Sequence, residues 1–150
     1  MSEQSKPKPQ IVILGAGLGG VVAAFEIADA VGNRADITVI ADSPVFSFVP
    51  SNPWVAVHWR EPKAIQVDLA PILARKEIGF STIGAMRVDP AQNRVEAGDG
   101  SSVSYDYLVV ATGPDLAFDE FEGLGPDGHT RLTGIRTTPP RPTPTRPSAV

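Results

Sequence analysis

The feature that most constrains this chain is a short apolar strand that runs directly into three regularly spaced glycines. Residues 11–14 read Ile-Val-Ile-Leu, and Gly15, Gly17 and Gly20 follow with GxGxxG spacing at the start of an alanine-rich helical stretch. The first glycine permits a tight strand-to-helix turn, the second lets backbone approach a pyrophosphate, and the third lets helix and strand pack closely. The helix amino terminus offers free N–H groups to phosphates, so the pattern predicts dinucleotide binding. A turn that serves packing alone would not require all three glycines.

The surrounding periodicity predicts a βαβ unit. Residues 10–14 predict a strand, residues 18–31 a helix that stops at Gly32 and Asn33, and residues 36–41 a second strand. A right-handed crossover makes the two strands parallel. The chain is therefore predicted to be an α/β protein with a Rossmann-like parallel sheet.

A second strand end with small residues supports the same site. Residues 108–111 predict a buried apolar strand, which ends in Ala111, Thr112 and Gly113. Ligands of open α/β sheets bind at the carboxyl ends of the strands, so this end is expected beside the glycines. The remaining predicted elements are a helix from an Asp68 N-cap to about residue 76, a third parallel strand at 78–83, and a small β-hairpin of residues 86–89 and 94–97.

Residues 43–62, here called the aromatic segment, carry four prolines together with Phe46, Phe48, Trp54 and Trp59. Aromatic loops that are shaped by prolines often line ligand sites. The same rings could instead fill a small core beneath the loop. The sequence leaves both interpretations open.

Composition excludes several classes of function. The formal net charge of -4 argues against nucleic acid as a partner. The chain contains no cysteine, which excludes disulfides and thiolate metal sites. The acidic residues between 115 and 122 have no convergent histidine or cysteine, and no Ser/His/Asp triad can be assembled, so neither a metal site nor a catalytic residue is predicted. Without a signal peptide or a transmembrane run, a cytoplasmic or peripheral membrane location is expected.

Two segments resemble a known family. The βαβ unit together with residues 105–113, Tyr-Asp-Tyr-Leu-Val-Val-Ala-Thr-Gly, resembles the FAD domain of flavoproteins that have two dinucleotide-binding domains. Residues 46–60, Phe-Ser-Phe-Val-Pro-Ser-Asn-Pro-Trp-Val-Ala-Val-His-Trp-Arg, are similar to the FxFVPSNPWVxVGWR segment of sulfide:quinone oxidoreductases. Residues 75–80 and 119–129 also fit this family, and the resemblance covers roughly residues 10 to 130.

The resemblance implies FAD as the cofactor, and sulfide and a quinone as reaction partners. It also implies roles for individual residues. Gly15, Gly17 and Gly20 would hold the FAD pyrophosphate, Ala85 would contact adenine through its backbone, Thr112 and Gly113 would lie along the flavin phosphate and ribityl chain, and Pro50 and Asn52 would lie in the loop that approaches the isoalloxazine.

Three positions depart from the family pattern. The acidic residue expected on the ribose hydroxyls is absent at Ala41, and Asp42, one place later, is the candidate substitute. His58 stands where the family has a glycine. Arg136 occupies the position of the first redox cysteine, and a guanidinium cannot act as a nucleophile or form a persulfide.

These observations lead to an expected domain plan. Residues 1–9 form a flexible amino terminus, residues 10–133 a partial FAD-binding domain, and residues 134–150 a disordered tail rich in proline, threonine and arginine, or a proline-rich ligand. A truncated gene copy without redox cysteines would be inactive alone. The alternatives are a non-catalytic dinucleotide-binding module that acts with a partner chain or as an oligomer, and the NAD-binding domain of a dehydrogenase.

Overall fold

A four-stranded parallel sheet organises residues 7–114, the part of the chain that the computed structural model describes. A two-stranded and a three-stranded antiparallel sheet accompany it. The elements are, in chain order, β1 (Gln10–Leu14), α1 (Leu18–Val31), β2 (Asp36–Ile40), β3 (Val45–Ser47), α2 (Asn52–Ala56), β4 (Gln66–Asp68), α3 (Leu69–Ala74), β5 (Gly79–Ser81), β6 (Ala85–Asp89), β7 (Arg94–Ala97), β8 (Ser102–Ser104) and β9 (Tyr107–Val110).

The predicted βαβ unit is confirmed. β1 lies at the centre of the sheet between β2 and β9, and β5 pairs with the far side of β2, all in parallel. The helix α1 has the predicted bounds and ends at Gly32, whose φ of 55° is readily adopted by glycine. The side chain of Arg34 then donates hydrogen bonds to the carbonyls of Ala30 and Val31, which the last helical turn leaves without intrahelical partners.

Alternation along β1 and β2 produces two cores, one on each face of the sheet. Ile11, Ile13, Ile37 and Val39 pack with α1 and α3 on one face. Val12, Leu14 and Ile40 pack with Val95 of the three-stranded sheet on the other face. Because both faces of the sheet are covered, residues 11–14 of β1 form a continuous apolar run instead of alternating with polar residues.

Two predictions on the later strands need correction. The hairpin of β6 and β7 is present, but β8 extends it to a three-stranded sheet. The strand β9 is less buried than expected, since Tyr107 is 64% and Val110 65% exposed. The reason is position: within residues 7–114, β9 pairs only with β1 and forms an edge of the sheet.

The predicted helix after Asp68 is confirmed at its start but is shorter than expected. Asp68 is the N-cap of α3, although its side chain makes no capping hydrogen bond. The helix stops at Ala74, two residues before the expected end. Glu77, three residues further along the chain, adopts a left-handed φ of 57°. The N–H groups of Glu77 and Ile78 donate to the carbonyls of Ala74 and Leu73, as in a Schellman motif.

The aromatic segment uses its rings in two different ways. Phe46 packs against the core on the α1 face, as the packing interpretation expected. Phe48, Trp54 and Trp59 are 43%, 42% and 77% exposed. The guanidinium of Arg60 lies 5.4 Å from the centroid of the Trp54 ring, a cation–π geometry.

A second Schellman motif ends α2. The N–H of Trp59 donates to the carbonyl of Trp54, and the N–H of His58 donates to that of Val55. His58 adopts a left-handed φ of 58° at the position that favours glycine. The glycine that the resemblance implies at this position would adopt this backbone conformation without strain.

Several predictions concern residues outside 7–114. The flexible amino terminus, the acidic run, the position of Arg136 and the nature of the tail all lie at least partly outside the described residues. Among residues 7–114, no helix is both long enough and apolar enough to cross a membrane.

Candidate functional site

The site lies at the carboxyl edge of the parallel sheet, meaning the end at which its strands terminate. The N–H of Gly15 donates to the carbonyl of Ile40 at 2.8 Å, and the N–H of Ala111 donates to that of Leu14, also at 2.8 Å. These bonds join the ends of β1, β2 and β9. The two small-residue strand ends predicted from sequence are therefore neighbours, although almost a hundred residues separate them.

Gly15 and Gly20 are required by close backbone approach. Gly15 has a φ of +95°, and a Cβ built there would lie 2.3 Å from the carbonyl oxygen of Ala111. A Cβ on Gly20 would lie 2.0 Å from the carbonyl oxygen of Gly15. Both distances are shorter than real Cβ contacts, so a side chain at either position would force the neighbouring backbone to shift.

Gly17 has the opposite environment. It is the N-cap of α1, with φ -77° and ψ -168°, values that other residues can also adopt. A Cβ built there would meet no atom of residues 7–114 within 4 Å. The absence of a side chain at Gly17 therefore serves nothing inside the described fold, and it leaves open space in front of the helix amino terminus.

Within residues 7–114, the first N–H groups of α1 have no hydrogen-bond acceptor. The carbonyl of Gly17 accepts the N–H of Val21 at 2.9 Å, which begins the helical ladder and leaves the earlier N–H groups without intrahelical acceptors. Among the described residues, no side chain caps this end and no acidic residue lies in the first turn. The N–H groups and the positive end of the helix dipole are therefore available to an anion.

Asp42 follows the end of β2, where the turn that precedes Ala85 lies beside it. The N–H of Gly84 donates to the carbonyl of Ala41 at 3.0 Å, and a Cβ on Gly84 would lie 3.9 Å from the Cβ of Asp42. Asp42 is exposed, and Ala85 is the first residue of β6. The role of Gly84 was missed from sequence, where an isolated glycine after a strand gives only a weak signal. Its φ of +77° and its hydrogen bond to Ala41 place it in the turn that connects β5 of the parallel sheet to β6.

Thr112 and Gly113 follow β9 beside the first glycine. A Cβ on Gly15 would lie 2.9 Å from the Cα of Thr112. Thr112 and Gly113 are both exposed, and Gly113 has a φ of +74°. These residues, predicted as one site with the glycines, are brought to the same point of the carboxyl edge.

Pro50 and Asn52 belong to a separate part of the site, the aromatic segment, which leaves the sheet at the end of β2. Pro50 is exposed, whereas the side-chain oxygen Oδ1 of Asn52 is buried and has no hydrogen-bond partner within residues 7–114. The neighbouring Ser51 is 3% exposed, and its hydroxyl accepts a hydrogen bond of 3.3 Å from Arg60. The structure thus adds Ser51 and Arg60 as supports of this segment, which sequence reasoning did not single out.

Comparison with known proteins assigns this fold and site to a class. The family described as pyridine nucleotide-disulphide oxidoreductase matches residues 9–138, and the chain belongs to that family. Members of this family are FAD-dependent flavoproteins. The glycine spacing, the open space at Gly17 and the uncapped helix terminus fit the pyrophosphate of such a cofactor.

Within the family, the chain is similar to sulfide-quinone reductases. It is 40% identical over 108 residues to the sulfide-quinone reductase of Aquifex aeolicus, covering 72% of this chain and 25% of the relative. It is 30% identical over 132 residues to the mitochondrial sulfide:quinone oxidoreductase of Dictyostelium discoideum, covering 82% of this chain and 28% of the relative. The chain therefore spans about a quarter of the length of these relatives.

Comparison with solved structures also shows similarity to proteins of this kind. The crystal structure of the Aquifex aeolicus sulfide:quinone oxidoreductase superposes with a TM-score of 0.69 at 39% identity, over 73% of this chain and 25% of that chain. An NAD-dependent persulfide reductase from A. fulgidus superposes with a TM-score of 0.67 at 28% identity, over 76% of this chain and 23% of that chain. The predicted FAD-type α/β fold is confirmed.

Proposed function

We propose that this chain forms the FAD-binding part of an oxidoreductase that oxidises sulfide and reduces a quinone. The observation that carries the proposal is the contrast among the three glycines. Gly15 and Gly20 are required by the fold itself, whereas Gly17 borders open space at an uncapped helix terminus. An anionic dinucleotide gives a reason for the second glycine that packing does not. The similarity to sulfide-quinone reductases supports the choice of reaction.

The proposed placement of FAD follows the carboxyl edge. The pyrophosphate lies against the glycines and receives the first N–H groups of α1. The carboxylate of Asp42 accepts hydrogen bonds from the ribose hydroxyls, with Ala85 beside the adenine. Thr112 and Gly113 border the flavin phosphate and the ribityl chain.

Pro50 and Asn52 complete the placement from the aromatic segment, close to the isoalloxazine. Bound FAD supplies two-electron redox chemistry. The residues of this chain bind and orient it, and they contribute no thiol, because the sequence contains no cysteine. We therefore expect no sulfide oxidation by this chain alone.

Flavin retention tests cofactor binding. The 150-residue chain is refolded with excess FAD, ultrafiltered, and the visible spectrum of the retained fraction is recorded. We expect a structured, shifted flavin band at about one FAD per chain. An empty retained fraction from a folded chain would contradict the proposal, and tighter retention of a nicotinamide dinucleotide would favour a dehydrogenase domain instead.

Turnover tests the activity separately. Sulfide and a soluble quinone are added to the FAD-loaded chain, with free FAD at the same concentration as the control. We expect rates equal to those of the control. Faster quinone reduction would show that the chain has catalytic groups of its own.

A second candidate is a dinucleotide-binding module that functions with another polypeptide. The observation that favours it is exposed apolar surface on the described residues, at Trp59 in the aromatic segment and at Tyr107 and Val110 on β9. Surfaces of this kind commonly mark interaction sites. Co-purification of one protein at fixed stoichiometry would support this candidate, whereas a monodisperse monomer would argue against it.

The domain limits and location are also proposals. We place the FAD-binding unit at residues 10–133 and a separate tail at residues 134–150, and limited proteolysis with mass spectrometry checks the boundary. Because quinones partition into membranes, we propose peripheral membrane association for the complete enzyme. Co-sedimentation of the complete enzyme with vesicles checks this, and an enzyme that stays in the supernatant at every lipid concentration would speak against it.

A further inference from the structure

The loop between β7 and β8 contains an Asp-Gly pair, Asp99–Gly100. Aspartate before glycine is the dipeptide at which a protein backbone rearranges most readily, because glycine has no side chain to shield its amide nitrogen. The nitrogen of Gly100 attacks Cγ of Asp99, a C–N bond forms, and the amide proton leaves with the carboxyl hydroxyl as water. Water then opens the resulting succinimide at either carbonyl and yields aspartate or isoaspartate. The reaction needs no oxidant, reductant or cofactor.

In the folded loop, both reacting groups are engaged in hydrogen bonds. The N–H of Gly100 donates to the carbonyl of Ala97 at 3.1 Å, so the attacking nitrogen is held in the turn. Oδ1 of Asp99 accepts the N–H of Ser101 at 2.9 Å and the Ser101 hydroxyl at 2.6 Å. These two bonds also lower the pKa of the Asp99 carboxyl, and an ionised carboxylate is a poor electrophile. The folded loop therefore opposes ring closure at the nitrogen and at the carboxyl.

The loop is also fixed by the surrounding backbone. The N–H of Ala97 donates to the carbonyl of Ser101 at 2.8 Å, and Gly100 has a φ of +83°, as in a three-residue hairpin loop. On its other side, the N–H of Gly98 donates to the carbonyl of Gly84 at 3.3 Å. Ring closure requires the aspartate backbone to rotate, and these bonds resist that rotation as long as the hairpin is folded.

We propose that Asp99–Gly100 is a modification site that the folded β7–β8 hairpin keeps latent. The bonds from Ser101 and to Ala97 protect the pair in the closed hairpin, and local opening exposes it to isomerisation. Isoaspartate adds one carbon to the main chain, so the turn cannot re-form with the same bonds. The strand β8 pairs only with β7 within residues 7–114, and its Val103 packs against the core on that face of the sheet. The site therefore converts a transient opening into a lasting loss of β8 pairing.

Peptide mapping measures the isomerisation. The 150-residue chain is kept at neutral pH, either folded in buffer or unfolded in guanidinium chloride, and is then cleaved after glutamate. Chromatography with mass spectrometry separates the isoaspartate peptides from their aspartate forms. This cleavage also separates Asp99 from a second pair, Asp127–Gly128, whose reaction in denaturant confirms that the conditions support the chemistry. We expect isoaspartate at Asp99 to form at least about tenfold more slowly in the folded chain, because only the open fraction reacts.

Ser101→Ala removes the hydroxyl donor and keeps the N–H donor. The ratio of the unfolded rate to the folded rate should fall about fivefold in this variant, the effect of one lost hydrogen bond, whereas Ser101→Thr keeps the hydroxyl and should keep the wild-type ratio. Ser104→Ala is the matched control, since Ser104 is exposed in the same strand and lies outside the loop; its ratio should equal that of wild type. Equal rates in the folded and unfolded wild type, an unreactive Asp99 in denaturant, or a wild-type ratio in Ser101→Ala would overturn the proposal.

Discussion

Gly17 and Gly20 are three residues apart, but alanine should have opposite consequences at the two positions. At Gly20 the added methyl carbon would lie 2.0 Å from the carbonyl oxygen of Gly15, whereas ordinary contact begins at 3.4 Å. Backbone must therefore move by more than 1 Å, and both groups belong to the turn that joins β1 to α1. Overpacking of this kind costs about 3 kcal/mol, of which the better helix propensity of alanine offsets about 1 kcal/mol.

The net destabilisation of about 2 kcal/mol should lower the melting temperature of Gly20→Ala by about 8–16 °C for a domain of this size. Gly17→Ala meets no atom of the described residues and needs no unusual φ. Its cost is the poorer N-cap, about 0.5 kcal/mol, or about 2–4 °C. FAD affinity should nevertheless fall at least about tenfold, because the methyl group occupies the space in front of the helix terminus.

Thermal unfolding of the apo variants and fluorescence titration with FAD measure the two effects separately. Gly19→Ala serves as the control, since the nearest atom to its added Cβ is the Cβ of Ala111 at 4.0 Å. The reasoning is refuted if Gly17→Ala binds FAD as tightly as wild type. It is equally refuted if the melting temperature of Gly20→Ala equals that of wild type, because the close approach of the third glycine would then have no energetic consequence.

Three further substitutions test local features. His58→Gly should raise the melting temperature by a few degrees, about 0.5–1 kcal/mol, because glycine relieves the left-handed backbone, whereas His58→Ala should give no gain. Glu77→Gly should behave in the same way at the end of α3, and an unchanged melting temperature in both glycine variants would contradict the assignment of strain. Hydrogen bonds from the hydroxyl and N–H of Ser101 hold the pKa of the Asp99 carboxyl below its usual 3.8, so Ser101→Ala should raise that pKa partway, as followed by NMR titration. Since the lowered pKa belongs to the folded state, ionised Asp99 stabilises the fold above about pH 3.8 and loses this contribution as the pH falls through the lowered value.

Local signals predicted the first third of the described fold almost to the residue. The strand Gln10–Leu14 and the helix Leu18–Val31 have the predicted bounds, and the strand Asp36–Ile40 is one residue shorter than predicted. Apolar runs, alanine-rich periodicity and glycine stop signals are all encoded within a few residues of where they act. The spacing of the three glycines, which predicts that they form one site, is likewise a local signal.

Other elements carried no such signal. The pair β3 and β4 joins Val45–Ser47 to Gln66–Asp68, and β8 adds Ser102–Ser104 to the hairpin. Each of these strands is only three residues long. It forms because it pairs with another strand, which is remote in sequence or lacks an alternating apolar pattern. Propensity cannot define strands of this length, because pairing and burial decide them.

The class of this protein follows from local sequence signals: a βαβ unit with a glycine fingerprint, and motifs that resemble sulfide:quinone oxidoreductases. Which atoms meet depends on the folded arrangement. It placed Ala111 against Gly15, joined Gly84 to Ala41 beside Asp42, showed that Gly17 alone among the three glycines borders open space, and left the oxygen of Asn52 without a donor within residues 7–114. The two kinds of information differ in the sequence distance over which they act. Turn and helix signals act between residues that are adjacent in the chain, whereas a Cβ clearance or an unpaired buried oxygen is set by groups tens of residues away, which become neighbours only when the sheet is assembled.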